Sequence, residues 1–247
     1  MAKSVSRGDG PVPTVAAIRA RLEELADPAQ AVQLRRFFKT GPGEYGEGDV
    51  FVGVKMPVLR GLVRELEALP IEGAAQLLQS AVHEERMLAL LLLVRRFEHC
   101  KDEPVRARIY ELYLANTARI NNWDLVDATV AQIVGAHLEG RGRGTLYELA
   151  RSQSLWERRM AMIATLRYIR KGDFDDALRI ADALMGDRED LIHKAVGWML
   201  REVGERDRAV EEAFLKPRYK AMPRTMLRYA IEKFEEGLRK SYLAGTV

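Results

Sequence analysis

The residue types that most often bind metals or act as nucleophiles are sparse in this sequence of 247 residues. The four histidines are His83, His99, His137 and His193, and no two of them stand four residues apart, as a helical pair of metal ligands would. Cys100 is the single cysteine, which excludes a disulfide within the chain and a cysteine-based zinc site. No Gly-x-Ser-x-Gly motif is present. We therefore expect no metal, no cofactor and no covalent nucleophile.

The carboxylate that stands out is Asp127, at the end of the segment Asn-Asn-Trp-Asp-Leu-Val-Asp. Trp123 and Asp127 are four residues apart, so on a helix they share one face. Leu125 and Val126 then point elsewhere, toward the core. The same spacing also fits a helix that simply begins with a half-buried tryptophan and a solvated aspartate, so spacing alone leaves both interpretations open.

A second tryptophan, Trp198, lies in the apolar segment 195–200. A tryptophan in such a segment is usually part of the core. Its neighbour Gly197 has no side chain, however, and lets a backbone or a ligand approach closely. Trp198 is therefore a candidate both for the core and for a binding surface.

Helical periodicity runs through the chain and predicts about a dozen helices with short connections. Apolar stripes at helical spacing are formed by Val15, Ile18, Leu22 and Leu25, by Leu59, Leu62, Val63, Leu66 and Leu69, and by Met226, Ala230 and Phe234. The one strand-like run is residues 49–54.

No apolar stretch approaches the ~20 residues that span a membrane, and the first residues lack the apolar core of a signal peptide. We expect a cytoplasmic monomer with a mobile tail over residues 1–12 and a single repeat domain over residues 13–247.

A weak internal repeat indicates how these helices are arranged. The blocks 83–93, 156–166 and 191–201 can be aligned so that Arg86, Arg159 and Lys194 occupy the same place. The spacing is close to multiples of 36 residues, which favours an all-α HEAT-like solenoid of helix pairs. Equivalent positions then share one wall, so these cations would line a concave basic groove that suits a nucleic-acid backbone.

Charge is clustered although its total is small. The chain carries 39 basic and 36 acidic residues, a net charge of +3. Residues 141–170 hold seven arginines and two acids, and residues 216–240 hold eight basic residues and three acids. Such clusters fit either solvated helix faces or a stripe that binds phosphates.

Several blocks in the right order resemble the AlkD-type DNA alkylation repair proteins, which are HEAT-like repeat DNA glycosylases. The blocks are Trp123-Asp-Leu-Val-Asp127, Trp156-Glu-Arg-Arg159, Lys194-Ala-Val-Gly-Trp198-Met-Leu-Arg-Glu202, residues 36–54 and residues 222–230. The similarity extends over roughly residues 15–243.

This resemblance implies a reaction and the residues that perform it. Family enzymes remove cationic alkylpurines such as 3-methyladenine and 7-methylguanine from double-stranded DNA, and the base leaves without a general acid because it already carries a positive charge. Asp127 matches the catalytic aspartate that stabilises the oxocarbenium-like sugar. Trp123 and Trp198 match the two tryptophans that flank the deoxyribose, where each contact with a cation contributes ~0.5–2 kcal/mol. The best-known member does not flip the base into a pocket, unlike most glycosylases.

The resemblance also implies a DNA-binding surface. Arg159 matches an arginine that holds the backbone near the lesion, and we expect Lys194, Arg86, Arg158 and Phe37 to contribute to the same surface.

Three departures from the family pattern bear on this surface. Phe37 replaces a tyrosine, Asn122 replaces a further tryptophan, and Asp190 with Leu191 replaces two aromatic residues.

Two other functions compete with catalysis. Some family members bind DNA without excising bases, so a non-catalytic binder of distorted or branched DNA is the alternative. The third possibility is a protein–protein scaffold, because repeat folds commonly serve that role.

Overall fold

The computed structural model of the protein describes residues 12–247, so the tail expected over residues 1–12 lies, apart from Val12, outside the described residues. The chain divides into two compact units, one ending at Arg96 and one comprising Phe97–Val247. The single domain expected over residues 13–247 stays a prediction.

The first unit is built from helices joined by short turns, except for one long connection over residues 38–55. The helices are α1 (Val15–Glu24), α2 (Pro28–Phe37), α3 (Met56–Glu65), α4 (Ile71–Leu78) and most of α5 (His83–His99). The Asp27 side chain caps α2 by accepting hydrogen bonds from the backbone N–H groups of Ala29 and Gln30. Ile18 and Leu22, from the first predicted stripe, are buried in this core.

The second unit continues with helices of similar length and several shorter turns. They are α6 (Glu103–Ala115), a 3-10 turn (Thr117–Arg119), α7 (Trp123–Asp127), a π-helical turn (Ala131–Gly135), α8 (Ala136–Leu138), α9 (Gly144–Ala150), α10 (Leu155–Ala164), α11 (Leu166–Ile169), α12 (Asp175–Ala183), α13 (Asp190–Gly204), α14 (Arg208–Leu215), α15 (Arg224–Ala230), a 3-10 turn (Ile231–Lys233) and α16 (Glu236–Ala244). Helix α10 packs against α9, α7 and α13, and α13 packs against α12, α14 and α15.

The predicted all-α class is confirmed, because no strand forms within residues 12–247. The strand-like run contributes a single isolated bridge between Val50 and Val82. The buried Glu84 carboxylate accepts hydrogen bonds from the backbone N–H groups of residues 52–54 at 2.8–3.3 Å. A side chain thus satisfies the donors that a neighbouring strand would otherwise pair.

Helices α13 and α15 pack closely against each other. A Cβ atom built on Gly197 would lie 2.4 Å from the Met226 carbonyl oxygen and 2.5 Å from the Tyr229 Cβ. Only glycine fits at this position, because real Cβ atoms do not approach other heavy atoms so closely. The glycine next to Trp198 therefore serves helix packing.

Helices α13 and α15 run parallel, as three contacts along their lengths show. Near their N-terminal ends Thr225 hydrogen-bonds to Asp190, and Gly197 meets α15 midway. Beyond them Arg201 forms an ion pair with Glu232 in the 3-10 turn that follows α15.

The structure shifts the register of the internal repeat by one residue. Arg86 is the fourth residue of α5, and its Nη1 donates to the carbonyl oxygens of residues 80 and 81 at 2.9 and 3.1 Å. Arg158 is the fourth residue of α10, and its Nη1 donates to the carbonyl oxygens of residues 152 and 153 at 3.0 and 2.9 Å. Both arginines thus bind the carbonyls five and six residues before them, a contact we call the turn clamp.

The fourth residue of α13, His193, makes half of this contact. Its Nε2 donates to the carbonyl oxygen of Asp187, six residues before it, at 2.6 Å. The equivalent residues are therefore Arg86, Arg158 and His193. The alignment of Arg86 with Arg159 and Lys194 was wrong by one position, because two arginines are adjacent in the second block.

One acid of the second unit is buried without an ion pair. Glu211 on α14 is 2% exposed, and its Oε1 has no hydrogen-bond partner among the described residues. Burial raises the pKa of this carboxyl from its ordinary 4.5 to about 8, an effect that Arg208 opposes and the charges of Glu212 and Glu205 reinforce. Glu211 is therefore predominantly protonated at neutral pH.

Candidate functional site

Helix α7 presents Asp127 and Trp123 as the spacing predicted. The buried Asn122 begins the helix by accepting a hydrogen bond from the backbone N–H of Trp123 at 2.8 Å. Leu125 and Val126 are fully buried, whereas Trp123 and Asp127 are only partly buried. The replacement of a family tryptophan by Asn122 thus supplies a helix cap.

The Asp127 carboxylate is held by a two-pronged ion pair. The Arg159 Nε donates to Oδ1 at 2.8 Å and the Arg159 Nη2 donates to Oδ2 at 2.7 Å. The side chain of Arg159 is 6% exposed and that of Asp127 is 17% exposed. Such paired, charge-assisted hydrogen bonds fix both the position and the plane of the carboxylate.

Arg159 also connects this carboxylate to α13. Its remaining nitrogen, Nη1, donates to the backbone carbonyl of Leu191. Arg159 on α10 therefore joins α7 to α13, and its guanidinium is occupied on both sides. Three of the five N–H groups of Arg159 are thus engaged within the protein, and the DNA contact that the resemblance implied for this residue stays a prediction.

Burial and Arg159 have opposite effects on the ionisation of Asp127. Burial raises the pKa of the Asp127 carboxyl above its usual range, and the adjacent Arg159 guanidinium lowers it in part, while the charge of Asp124 raises it again. The ionised form therefore depends on Arg159. A loss of that guanidinium would raise the pKa of Asp127 further.

Trp198 lies partly buried on α13. A hydrogen bond from its indole N–H fixes the orientation of the ring. The indole Nε1 donates to Glu202 Oε1 at 3.0 Å. Arg206 in turn donates to Glu202 Oε2 at 3.0 Å. Glu202 was not predicted as a site residue; the signal in the sequence was its place four residues after Trp198, on the same face of the helix.

Lys194 and Asp190 form an ion pair on the first turns of α13. The Nζ of Lys194 lies 2.8 Å from the Asp190 carboxylate. The hydrogen bond from Lys194 holds the pKa of Asp190 below its usual range, although burial opposes this effect. Asp190, which replaces an aromatic residue of the family pattern, therefore neutralises Lys194. Leu191, the second replacement, contributes its backbone carbonyl to the contact with Arg159.

Most of the predicted arginine cluster is neutralised within the second unit. Five of its seven members form ion pairs: Arg141 with Glu103, Arg143 with Asp173 and Asp176, Arg158 with Asp187, Arg159 with Asp127, and Arg167 with Glu139. Arg158 is 16% exposed, and the turn clamp and Asp187 occupy its guanidinium. These arginines connect helices, and the local charge count overstates what they offer to a phosphate.

The two predicted DNA contacts in the first unit differ sharply in exposure. Phe37 ends α2 with 63% of its surface exposed, and its ring packs edge-on against Phe38 with centroids 5.0 Å apart. The Arg86 side chain is 3% exposed and donates to Asp49 Oδ1 at 2.6 Å. Arg86 therefore clamps a turn and is too deeply buried to bind a phosphate, whereas Phe37 leaves most of its surface exposed to solvent.

Within the described part of the chain, no group of histidine, cysteine and acidic side chains is placed to hold a metal ion. In residues 12–247 no helix is long and apolar enough to cross a membrane.

Comparison with known proteins identifies a family and similar solved structures. A family model described as DNA alkylation repair enzyme matches residues 18–234. A predicted DNA alkylation repair enzyme from Enterococcus faecalis superposes with a TM-score of 0.64 at 21% identity, over 85% of this chain and 97% of that one. AlkD2 from Streptococcus mutans superposes with a TM-score of 0.54 at 18% identity, over 90% of this chain and 100% of that one. At these identities the two structures support the all-α repeat fold alone, and no curated protein matches the sequence.

Proposed function

The chain belongs to the DNA alkylation repair enzyme family, whose model matches most of its length, and from that premise we propose that it is a monofunctional DNA glycosylase. Its substrates are positively charged alkylated purines, such as 3-methyladenine and 7-methylguanine, in double-stranded DNA. It acts as a cytoplasmic monomer without a metal or cofactor and leaves the damaged base unflipped. The resemblance of the sequence blocks around Asp127 and Trp198 motivates the choice of substrate.

The observation that carries this proposal is the geometry at Asp127. An alkylated purine is already cationic, so it leaves with the electron pair of the glycosidic bond as a neutral base and needs no general acid. The sugar is left as an oxocarbenium-like cation, which the Asp127 carboxylate stabilises. A water molecule then adds to the anomeric carbon and gives up a proton, which Asp127 or solvent accepts.

The two-pronged contact with Arg159 is compatible with this role. A carboxylate has about four lone-pair sites, and Arg159 uses one on each oxygen. The others remain for the sugar and the water. Arg159 is therefore a positioning residue, and Trp123 and Trp198 supply aromatic faces that attract the cation.

Base release from methylated duplex DNA tests the proposal. The Asp127→Asn variant should lose about 100-fold or more in rate, the size of effect seen when one electrostatic stabiliser is removed, and should keep its affinity for DNA. Asp182→Asn is the matched control, since Asp182 on α12 also accepts a hydrogen bond from an arginine, Arg218, at 2.6 Å. Equal rates for Asp127→Asn and the control would reject the assignment.

The role of Arg159 has its own readout in the pH profile. The rate should fall with decreasing pH as Asp127 takes up a proton. Because Arg159 lowers the pKa of Asp127, Arg159→Met should move this acid limb to higher pH. A residue that served the fold alone would leave the limb in place.

One observation favours the second candidate function, a non-catalytic binder of distorted or branched DNA. Arg159 balances the charge of Asp127, which weakens the attraction of the carboxylate for a cation. This alternative predicts tight, salt-sensitive DNA binding with no release of base from any alkylated duplex, whereas the glycosylase must release base.

A further inference from the structure

Three cations stand at the same position of their helices when each helix is counted from its first residue. The fifth residues of α10, α13 and α15 are Arg159, Lys194 and Arg228. Arg159 is neutralised by Asp127 and Lys194 by Asp190. Arg228 is exposed, and no acidic side chain within residues 12–247 pairs with it. Among the three, it is therefore the cation whose charge is least compensated by a neighbouring acid.

The contact between α13 and α15 fixes the side on which Arg228 lies. Gly197 points toward α15, and the Cβ of Tyr229 points back toward α13. Each residue of a helix is turned by about 100° from the one before it. Gly197 and Tyr229 face each other across two parallel helices. Trp198 follows Gly197 by one residue and Arg228 precedes Tyr229 by one residue, so both side chains are turned toward the same side of the helix pair. Trp198 and Arg228 consequently share one face of the second unit.

The same rotation explains the burial along α15. Ala230, one step after Tyr229, turns to the opposite side and is fully buried. Arg228 is exposed and Trp198 is partly exposed, as expected for a common solvent-facing surface. Neighbouring packed helices lie ~8–10 Å apart, so Arg228 lies about one helix spacing from Trp198.

We propose that Arg228 binds a phosphate of the DNA strand within a few nucleotides of the sugar that Trp198 contacts. An arginine suits this task because its planar guanidinium donates two parallel hydrogen bonds to phosphate oxygens. The inference rests on the proposed DNA-binding function, and it adds a contact from α15 to a surface on which Asp127 balances the charge of Arg159.

A salt titration of binding provides the first test. The probe is a duplex with a tetrahydrofuran abasic-site analogue, which fixes the position of the protein and offers no base to release. Arg228→Ala should bind about 3- to 10-fold more weakly, and the slope of log K against log salt should become shallower by about 0.9, the value for one phosphate contact. The control is Arg239→Ala on α16, an arginine that is also exposed and has no acidic partner in the described part of the chain. Equal losses in the two variants would overturn the inference.

Neutral methylphosphonates placed at single positions of the same duplex locate the contact. The native protein should lose affinity at one position within a few nucleotides of the abasic site, and Arg228→Ala should be insensitive at that position alone. Sensitivity that persists there in Arg228→Ala would overturn the inference. Binding that follows this pattern without base release from alkylated DNA would support Arg228 and reject the glycosylase, whereas base release with no Arg228 effect would do the reverse. Absence of DNA binding would overturn both.

Discussion

The ion pair between Asp127 and Arg159 allows a quantitative prediction about stability. The Arg159 side chain is 6% exposed, so Asp127→Asn leaves a buried guanidinium without its counter-charge. Breaking one partner of a buried pair costs about 3–5 kcal/mol. Arg159→Met should cost less, because the Asp127 carboxyl, with its raised pKa, can take up a proton. The double variant removes both charges and should be more stable than the sum of the single losses predicts, by about 2 kcal/mol.

Urea unfolding of the native protein and the three variants completes this cycle. The urea midpoints of the four proteins are compared at a constant m-value, which is the slope of the free energy of unfolding against urea concentration. A constant m-value shows that the unfolding reaction is unchanged. Losses that add to within about 0.5 kcal/mol would mean that the two residues do not interact, and would refute the pair as described.

The same cycle separates folding from catalysis. If Asp127 acts on the sugar, the double variant recovers stability without recovering base release. A double variant that released base at the native rate would refute the role of the carboxylate, whatever its stability.

Two further predictions concern the core of the second unit. The stability of the native protein should fall between pH 5 and pH 8, because in this range the unfolded chain has lost the proton of Glu211 while the folded protein, with a pKa of about 8 against 4.5, retains it. Over these three pH units the fall is at most about 4 kcal/mol, at 1.36 kcal/mol per unit. Glu211→Gln should abolish it, as measured by urea unfolding at both pH values. Gly197→Ala should cost ~1–3 kcal/mol and weaken binding of abasic-site DNA, since its Cβ would meet Met226 and Tyr229 backbone-fixed atoms within 2.5 Å and push α15 from α13.

Each of these two substitutions has a control. Glu236→Gln removes an exposed acid on α16 and should leave the pH dependence as it is; a Glu211→Gln protein with the native pH dependence would contradict the buried acid. Gly61→Ala lies within α3, where a Cβ meets nothing within 4 Å, and should be neutral or stabilise by up to ~1 kcal/mol. Gly197→Ala that behaves like Gly61→Ala would contradict the close packing.

The sequence predicted those features that depend on neighbouring residues. Helical spacing was sufficient to assign Trp123 and Asp127 to one face and Leu125 and Val126 to the core. The register of the repeat failed because periodicity could not distinguish Arg158 from the adjacent Arg159. The structure distinguishes the two arginines, because α10 begins at Leu155. The alignment of the sequence blocks had placed Trp156 at the start, one residue later.

Contacts across many residues were beyond the reach of the sequence. Arg159 reaches an acid 32 residues away, and that distance in space depends on how α7 and α10 pack. For the same reason, the arginine cluster could be counted but its partners could not be identified.

The turn clamp has a consequence for how such a chain can change in length. Arg86 and Arg158 each donate hydrogen bonds to carbonyls of the same sequence repeat, only five and six residues before them. A duplicated segment would contain both the arginine and the carbonyls of its turn clamp. It would need only one new acid to balance the charge of the added arginine. Growth or loss of a whole segment is therefore a smaller disturbance to this architecture than a single-residue insertion between the arginine and its turn.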